Sequence, residues 1–269
     1  MSNQLKIFAT DMDGTFLDEN RAYDKSRLRD ILKEFKKRNY LFCAASGRQL
    51  LALEELFDEF QDQVAFCAEN GALVKYHGEI LYSSILGQDK ASKLVELVRQ
   101  NPHMHRDVVL FSGLNGAYAL QTADPQFVEF ANLYYSDLKL VKSVHDIEDE
   151  ILKVCVEFPP EKIRECEDWI NAQMTDIRAT TTGFRSIDIM SAGISKATGL
   201  SHLLTHLQST PEALTAFGDQ SNDLEMLQLA GTAVAVENAI PEVLNISDKV
   251  IGHNRDAAVL TELEAILTH

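Results

Sequence analysis

Two stretches in which strand and helix signals alternate bracket a middle that lacks that rhythm, and the arrangement leaves few folds open. Lys6–Thr10 is a short apolar run, after which Leu28, Ile31, Leu32 and Phe35 recur at i, i+3, i+4 and i+7, the stripe of an amphipathic helix. Tyr40–Ala45 reads as a second buried strand, Leu50–Phe60 as a helix and Val64–Ala68 as a third strand. A βαβαβ start implies a parallel sheet with right-handed crossovers. The rhythm returns with a helix from Lys196 to Leu207, a strand Ala213–Phe217, a helix Asp223–Ala230, a strand Thr232–Val236 and a closing helix Ala257–Leu267.

The middle is built differently. Ala72–Tyr76 and Glu79–Tyr82 flank His77-Gly78, a hairpin signal. A helix (Lys90–Arg99), strands near Val108–Phe111 and Tyr118–Gln121, a helix after Pro125, a strand Leu152–Phe158, a helix through Trp169 and strands near Ile177–Thr180 and Arg185–Ile189 follow. The expected fold is therefore α/β: a three-layer, Rossmann-like core with a parallel sheet (1–83 and 189–269) carrying an inserted α+β domain (84–188). A chain of 269 residues is long enough for that division at about 100–200 residues per domain.

The formal charge of −16 would repel a phosphate backbone, which argues against nucleic acid and anionic membrane surfaces as partners. No apolar stretch approaches the ~20 residues of a membrane span, and Met1–Lys6 opens no signal peptide. A cytoplasmic protein, monomeric or weakly self-associating, is the expectation. Cys43, Cys67, Cys155 and Cys166 are widely spaced, which suggests buried thiols and neither a zinc site nor a disulfide framework.

Four segments at strand ends carry the chemistry. Asp11-Met12-Asp13-Gly14-Thr15 follows the first strand, where ligands sit in open α/β sheets. Two carboxylates at i and i+2 repel each other unless a cation lies between them, and Mg²⁺ suits oxygen ligands while leaving room for substrate phosphate. A carboxylate can also act as a nucleophile. A bare Asp-Gly turn is the alternative reading. Ser46-Gly47-Arg48 after the second strand can be an anion cradle or an ordinary helix cap. Lys196 opens a helix and could neutralise nucleophile and phosphate. In Gly218-Asp219-Gln220-Ser221-Asn222-Asp223, Asp219 could complete a Mg²⁺ shell and Asn222 could donate to phosphate. Asp223 stands in a first helical turn, where the dipole alone favours a carboxylate, so its role is set as indirect.

Taken together, these segments resemble, in order, the four motifs of the haloacid dehalogenase (HAD) superfamily of phosphohydrolases. The Ala44–Arg48 and Glu69–Ala72 segments and the large insertion resemble its Cof-type members (class IIB), bacterial sugar phosphatases especially. The resemblance implies a Mg²⁺-dependent phosphatase of small phosphate monoesters, sugar phosphates foremost, working through an aspartyl-phosphate. It implies Asp11 as nucleophile and metal ligand, and Asp13 as general acid/base with its carbonyl on the metal. Ser46, Gly47, Lys196 and Asn222 would bind phosphate, and Asp219 would ligate Mg²⁺. Arg48 and Asn70 lie in matching loops, with a sugar contact and a structural hydrogen bond equally open for each. The insertion would be a cap that selects the leaving group. Asp188, His103, His105, Asn115 and Arg185 are conceivable contacts there, a solvated or core role being favoured for each. The family often has Gly-Val before its last helix, where this chain reads Asp256-Ala257-Ala258.

Other readings are a phosphatase of cofactor or nucleotide phosphates (pyridoxal phosphate, FMN), a phosphomutase and a phospho-receiver domain. A receiver is smaller and carries its acceptor Asp after a later strand. Between Thr15 and Ser46 there is room for only one helix, which disfavours the helical cap of the mutases.

Overall fold

The computed structural model describes residues 5–182 and 185–268. Contacts divide the chain into two units, the first comprising 1–46, 57–82 and 195–269, the second 47–56 and 83–194. The expected core ran through residue 83 and resumed at 189. The structure instead groups Gly47–Leu56 with the second unit, where Lys153 Nζ donates to the Gly47 carbonyl and the Ser136 N–H donates to Gln49 Oε1 at 3.0 Å.

In the first unit, β1 (Lys6–Thr10), α1 (Lys25–Arg38), β2 (Tyr40–Ala45), β3 (Val64–Ala68), β4 (Leu73–Tyr76) and β5 (Glu79–Ser83) come first. After the second unit, which includes α2 (Leu50–Leu56), the chain resumes with α6 (Lys196–His206), β12 (Leu214–Gly218), α7 (Leu224–Leu229), β13 (Thr232–Val236), α8 (Pro241–Ile246), β14 (Lys249–Ile251) and α9 (Ala258–Thr268). Among the described residues these strands form one sheet, ordered β14-β13-β12-β1-β2-β3-β4-β5, parallel from β14 to β3. Hydrophobic runs buried on both sides, such as Leu41–Ala45 and Val64–Ala68, are what a sheet covered on both faces requires.

The strand order reverses beside β1. From β1 the chain steps outward to β2 and β3, while from β12 it steps the other way to β13 and β14. Right-handed crossovers then put α1 and α7 on opposite faces and open a crevice at the carboxyl ends of β1 and β12. Residues 7–10 pair with 214–217, so Asp11 and Asp219 leave adjacent strands side by side.

The helix expected over Leu50–Phe60 stops at Leu56. Phe57 and Phe60 stay buried through a turn closed by Phe60 N–H to Phe57 O. The strands β14 and, in the second unit, β8 were not anticipated.

In the second unit, a sheet of mixed direction is ordered β10 (Ile177–Thr181), β11 (Ser186–Ser191), β9 (Ile151–Glu157), β6 (Val109–Gly113), β7 (Ala117–Leu120) and β8 (Leu138–Val141). It is antiparallel apart from the β7–β8 pair. One face packs Val154, Val156, Ile187 and Ile189 against α3 (Gln88–Val98) and α5 (Ile163–Gln173). The other carries Leu110, Ala119 and Cys155 against Phe127 and Ala131 of α4 (Pro125–Ala131). By the two-residue period, Lys153 and Asp188 share that second face.

All four cysteines are free and buried. Among the described residues no helix is long and apolar enough to cross a membrane; Met1–Gln4, part of the N-terminal segment without a signal-peptide pattern, lie outside them. Ala257 takes the left-handed φ of 53° that a glycine adopts without cost, which explains why the familial glycine suits that loop.

Candidate active site

Asp11 is the first residue past β1, held by its N–H to the Phe217 carbonyl at 2.9 Å. Gly14 turns the chain away with φ 86°, and a Cβ there would lie 2.6 Å from Asp219 Oδ2. Only glycine lets this loop pass so close to the second carboxylate. Thr15 Oγ1 donates to Asp219 Oδ1 at 2.7 Å, and Asn238 Nδ2 donates to the Gly14 carbonyl at 2.8 Å. Asp13 faces outward and is exposed.

At the centre lies Lys196, fully buried at the start of α6. Its Nζ donates to Asp11 Oδ1 at 2.5 Å and to Asp223 Oδ1 at 2.6 Å. Asp223 Oδ2 accepts from the N–H groups of Asp219 and Gln220 at 2.9 and 3.0 Å. Gly218 makes room for this, since a Cβ there would meet Asp223 Cβ at 2.6 Å. Asp223 is therefore no peripheral dipole partner: it grips the ammonium with one oxygen and the β12 loop with the other.

Asp11, Asp219 and Asp223 each offer a carboxylate oxygen within 4.8 Å of the others, a group able to hold a metal ion. Three buried carboxylates against one ammonium leave two negative charges uncompensated, and the ionisation behaviour follows. Burial raises the Asp11 carboxyl well above its ordinary range, Lys196 opposing and Asp223 and Asp219 adding to the rise. Burial and then Asp223 push Asp219 up to about 7 against the pull of Thr15 and Lys196. Burial lowers the Lys196 pKa, but Asp11 and Asp223 outweigh it and raise it. A divalent cation fits this oxygen-rich, charge-deficient group.

A second set gathers on the same unit. Ser46 is buried at the end of β2, and its carbonyl accepts from the Asn70 N–H at 2.9 Å. Asn70 Oδ1 accepts from Asn222 Nδ2 at 3.0 Å. Asn70 is buried, which favours the structural hydrogen bond left open for it in the sequence. Gly47 and Arg48 belong to the second unit.

Lys153 and Asp188, paired at 2.8 Å and almost fully buried, form a polar centre on the second unit that no local pattern announced; its only sequence trace is a lysine and an aspartate inside apolar strands. The other cap candidates are tied within that unit or exposed. His103 meets Glu165 at 3.2 Å, Asn115 bonds Asp149, Arg185 stands 3.8 Å from Glu157 and His105 is exposed.

Residues 8–263 match a family model described as haloacid dehalogenase-like hydrolase. The chain is 31% identical over 266 residues, 98% of its length and 97% of the relative's, to the 5-amino-6-(5-phospho-D-ribitylamino)uracil phosphatase YbjI of Escherichia coli. It superposes on SMU.1108c of Streptococcus mutans with a TM-score of 0.93 at 28% identity, covering 99% of this chain and 100% of that one. It shares its fold with BT4131, described as a HAD subclass IIB sugar phosphatase, at a TM-score of 0.81 and 18% identity over 97% of this chain and 98% of that one.

Proposed function

Since the chain belongs to the haloacid dehalogenase-like hydrolases and is a phosphatase of that family, we propose that it hydrolyses small phosphate monoesters, sugar or sugar-alcohol phosphates foremost, with Mg²⁺ and through an aspartyl-phosphate. The observation that carries this reading is a buried lysine holding one oxygen of the Asp11 carboxylate beside a second acid, Asp219, on the adjacent strand.

Lys196 engages Asp11 Oδ1, which leaves Oδ2 to attack phosphorus. As that bond forms, the ester P–O bond breaks, and Asp13, exposed at the mouth of its loop, gives its proton to the leaving alkoxide. Asp13 then takes a proton from water. The water oxygen attacks phosphorus, the acyl-phosphate P–O bond breaks, and Asp11 and inorganic phosphate are released. Ser46, the Gly47 N–H and Asn222 hold the phosphoryl oxygens in this scheme, while Asp223 keeps the Lys196 ammonium in place. Asp11, Asp219 and the Asp13 carbonyl would hold Mg²⁺, which would supply the positive charge that lets an anionic ester approach a carboxylate. The insertion is assigned the choice of leaving group.

The Escherichia coli relative acts on a phosphoribityl compound, which supports a polyhydroxylated leaving group. With Mg²⁺ and a panel of hexose, pentose, phosphoribityl, nucleotide and cofactor phosphates, phosphate release is expected to be fastest from the sugar and ribityl esters. Silence across the panel would defeat the enzyme reading for this chain. Preference for FMN or pyridoxal phosphate would replace the sugar reading by the cofactor one.

Metal dependence has its own test. Asp219 has a pKa of about 7 when folded against 3.8 ordinarily, so between those values the folded state binds more protons, and stability without metal falls as pH rises toward 7. A cation favours the ionised form. Mg²⁺ is therefore expected to raise Tm relative to EDTA, and by more at pH 8 than at pH 5.5. Equal shifts at both pH values would speak against binding by these acids.

A further inference from the structure

Three successive residues at the end of β3 stand in the left-handed region: Glu69 at φ 52°, Asn70 at 54° and Gly71 at 93°. Such backbone is costly for the two residues that carry a Cβ and persists only where the surroundings impose it. Here the turn touches the end of β2, the loop after β12 and the N-terminus of α6. The Asn70 N–H donates to the Ser46 carbonyl at 2.9 Å, while the Ser46 N–H donates to the Cys67 carbonyl at 2.9 Å. Asn70 Oδ1 accepts from Asn222 Nδ2 at 3.0 Å. Gly71 presses on the N-terminus of α6, where a Cβ on it would lie 2.0 Å from the Ser195 carbonyl oxygen and 3.1 Å from the Lys196 nitrogen. One turn along α6, a Cβ on Gly199 would strike Cys67 Sγ at 2.5 Å and Gly71 Cα at 2.8 Å.

We propose that Asn70 is a positioning residue for the phosphoryl site, acting through Asn222. The proposal rests on reading Asn222 as a phosphate contact. With Asn70 held so that Oδ1 faces Asn222, only the orientation in which Asn222 presents its NH₂ group makes this bond. One Nδ2 proton is used on Asn70, and the other remains for a phosphoryl oxygen. The opposite flip of Asn222 would aim its carbonyl oxygen at an anion. The backbone of the same residue ties the Ser46 carbonyl to this arrangement, so two loops that contribute to the site are set by one strained turn.

The test uses p-nitrophenyl phosphate with Mg²⁺. Asn70→Gly keeps the left-handed backbone and the bond to Ser46 but deletes the amide. Its kcat/KM is expected to fall about 10- to 100-fold, with Tm unchanged or raised because glycine relieves the strain. In an Asn222→Ala background, the same change is expected to cost less than about twofold, since the residue it acts through is gone. An equal loss in both backgrounds would overturn the proposal, as would near-normal kinetics for Asn70→Gly beside an impaired Asn222→Ala. If Asn222→Ala alone is fully active, Asn222 is no phosphate contact, and that premise falls together with the proposal while the Asp11 chemistry stands.

Discussion

Asp11→Asn is expected to lower phosphate release by at least ~10⁴-fold, the scale on which removing a nucleophile acts, in a protein that remains folded. Asparagine has the same shape and keeps an oxygen for Lys196, whose ammonium then retains Asp223 at 2.6 Å. It also removes a carboxylate whose ionised form is disfavoured by burial. In EDTA at pH 8 the variant should therefore melt at or above the parent temperature. Turnover at more than a few per cent of the parent would exclude Asp11 as the nucleophile, and a large drop in Tm would mean that the loss of activity reports misfolding. Phosphate release and thermal melts on the same preparation separate these outcomes.

Lys196→Met is expected to act on stability as strongly as on turnover. The side chain is completely buried between two carboxylates. Methionine fills its length but leaves Asp11 and Asp223 facing each other without a cation. Breaking a buried pair in this way costs about 3–5 kcal/mol, which for a chain of this size is a fall in Tm of roughly 6–20 °C. The deficit should shrink at pH 5, where the raised carboxyls can take up protons, and in Lys196→Met/Asp223→Asn, which removes one of the stranded charges. A deficit independent of pH would assign the cost to packing.

What could be read in the sequence was what burial writes into a local pattern. The runs Lys6–Thr10, Tyr40–Ala45 and Val64–Ala68 became strands with those bounds because both sides of each are covered. Lys249–Ile251 and Leu138–Val141 escaped notice because they lie at sheet edges with mostly solvent-facing or half-exposed side chains, so no apolar run marks them. The stripe that suggested a helix to Phe60 was real as a burial pattern, but Phe57 and Phe60 reach the core from a turn. At the site, Asp11 and Asp219 could be matched because each ends a strand. The contacts of Asp223 with Lys196, 27 positions earlier, and of Lys153 with Asp188 exist only after strands from distant parts of the chain are set side by side.

The pairing of β1 with β12 also has a consequence for synthesis. Between Ala68, the last residue of β3, and Leu214, the first of β12, lie 145 residues. At about 5–20 residues per second, a ribosome needs roughly 7–30 s to deliver them. For that interval the nascent chain carries β1, β2 and β3 with the far edge of β1 open, and Ile7–Thr10 offer a row of unpaired backbone groups on a strand whose centre, Ile7–Ala9, is apolar. The same edge that later brings the two acids together is, until then, the place where a half-made chain is most exposed to pairing with a neighbour.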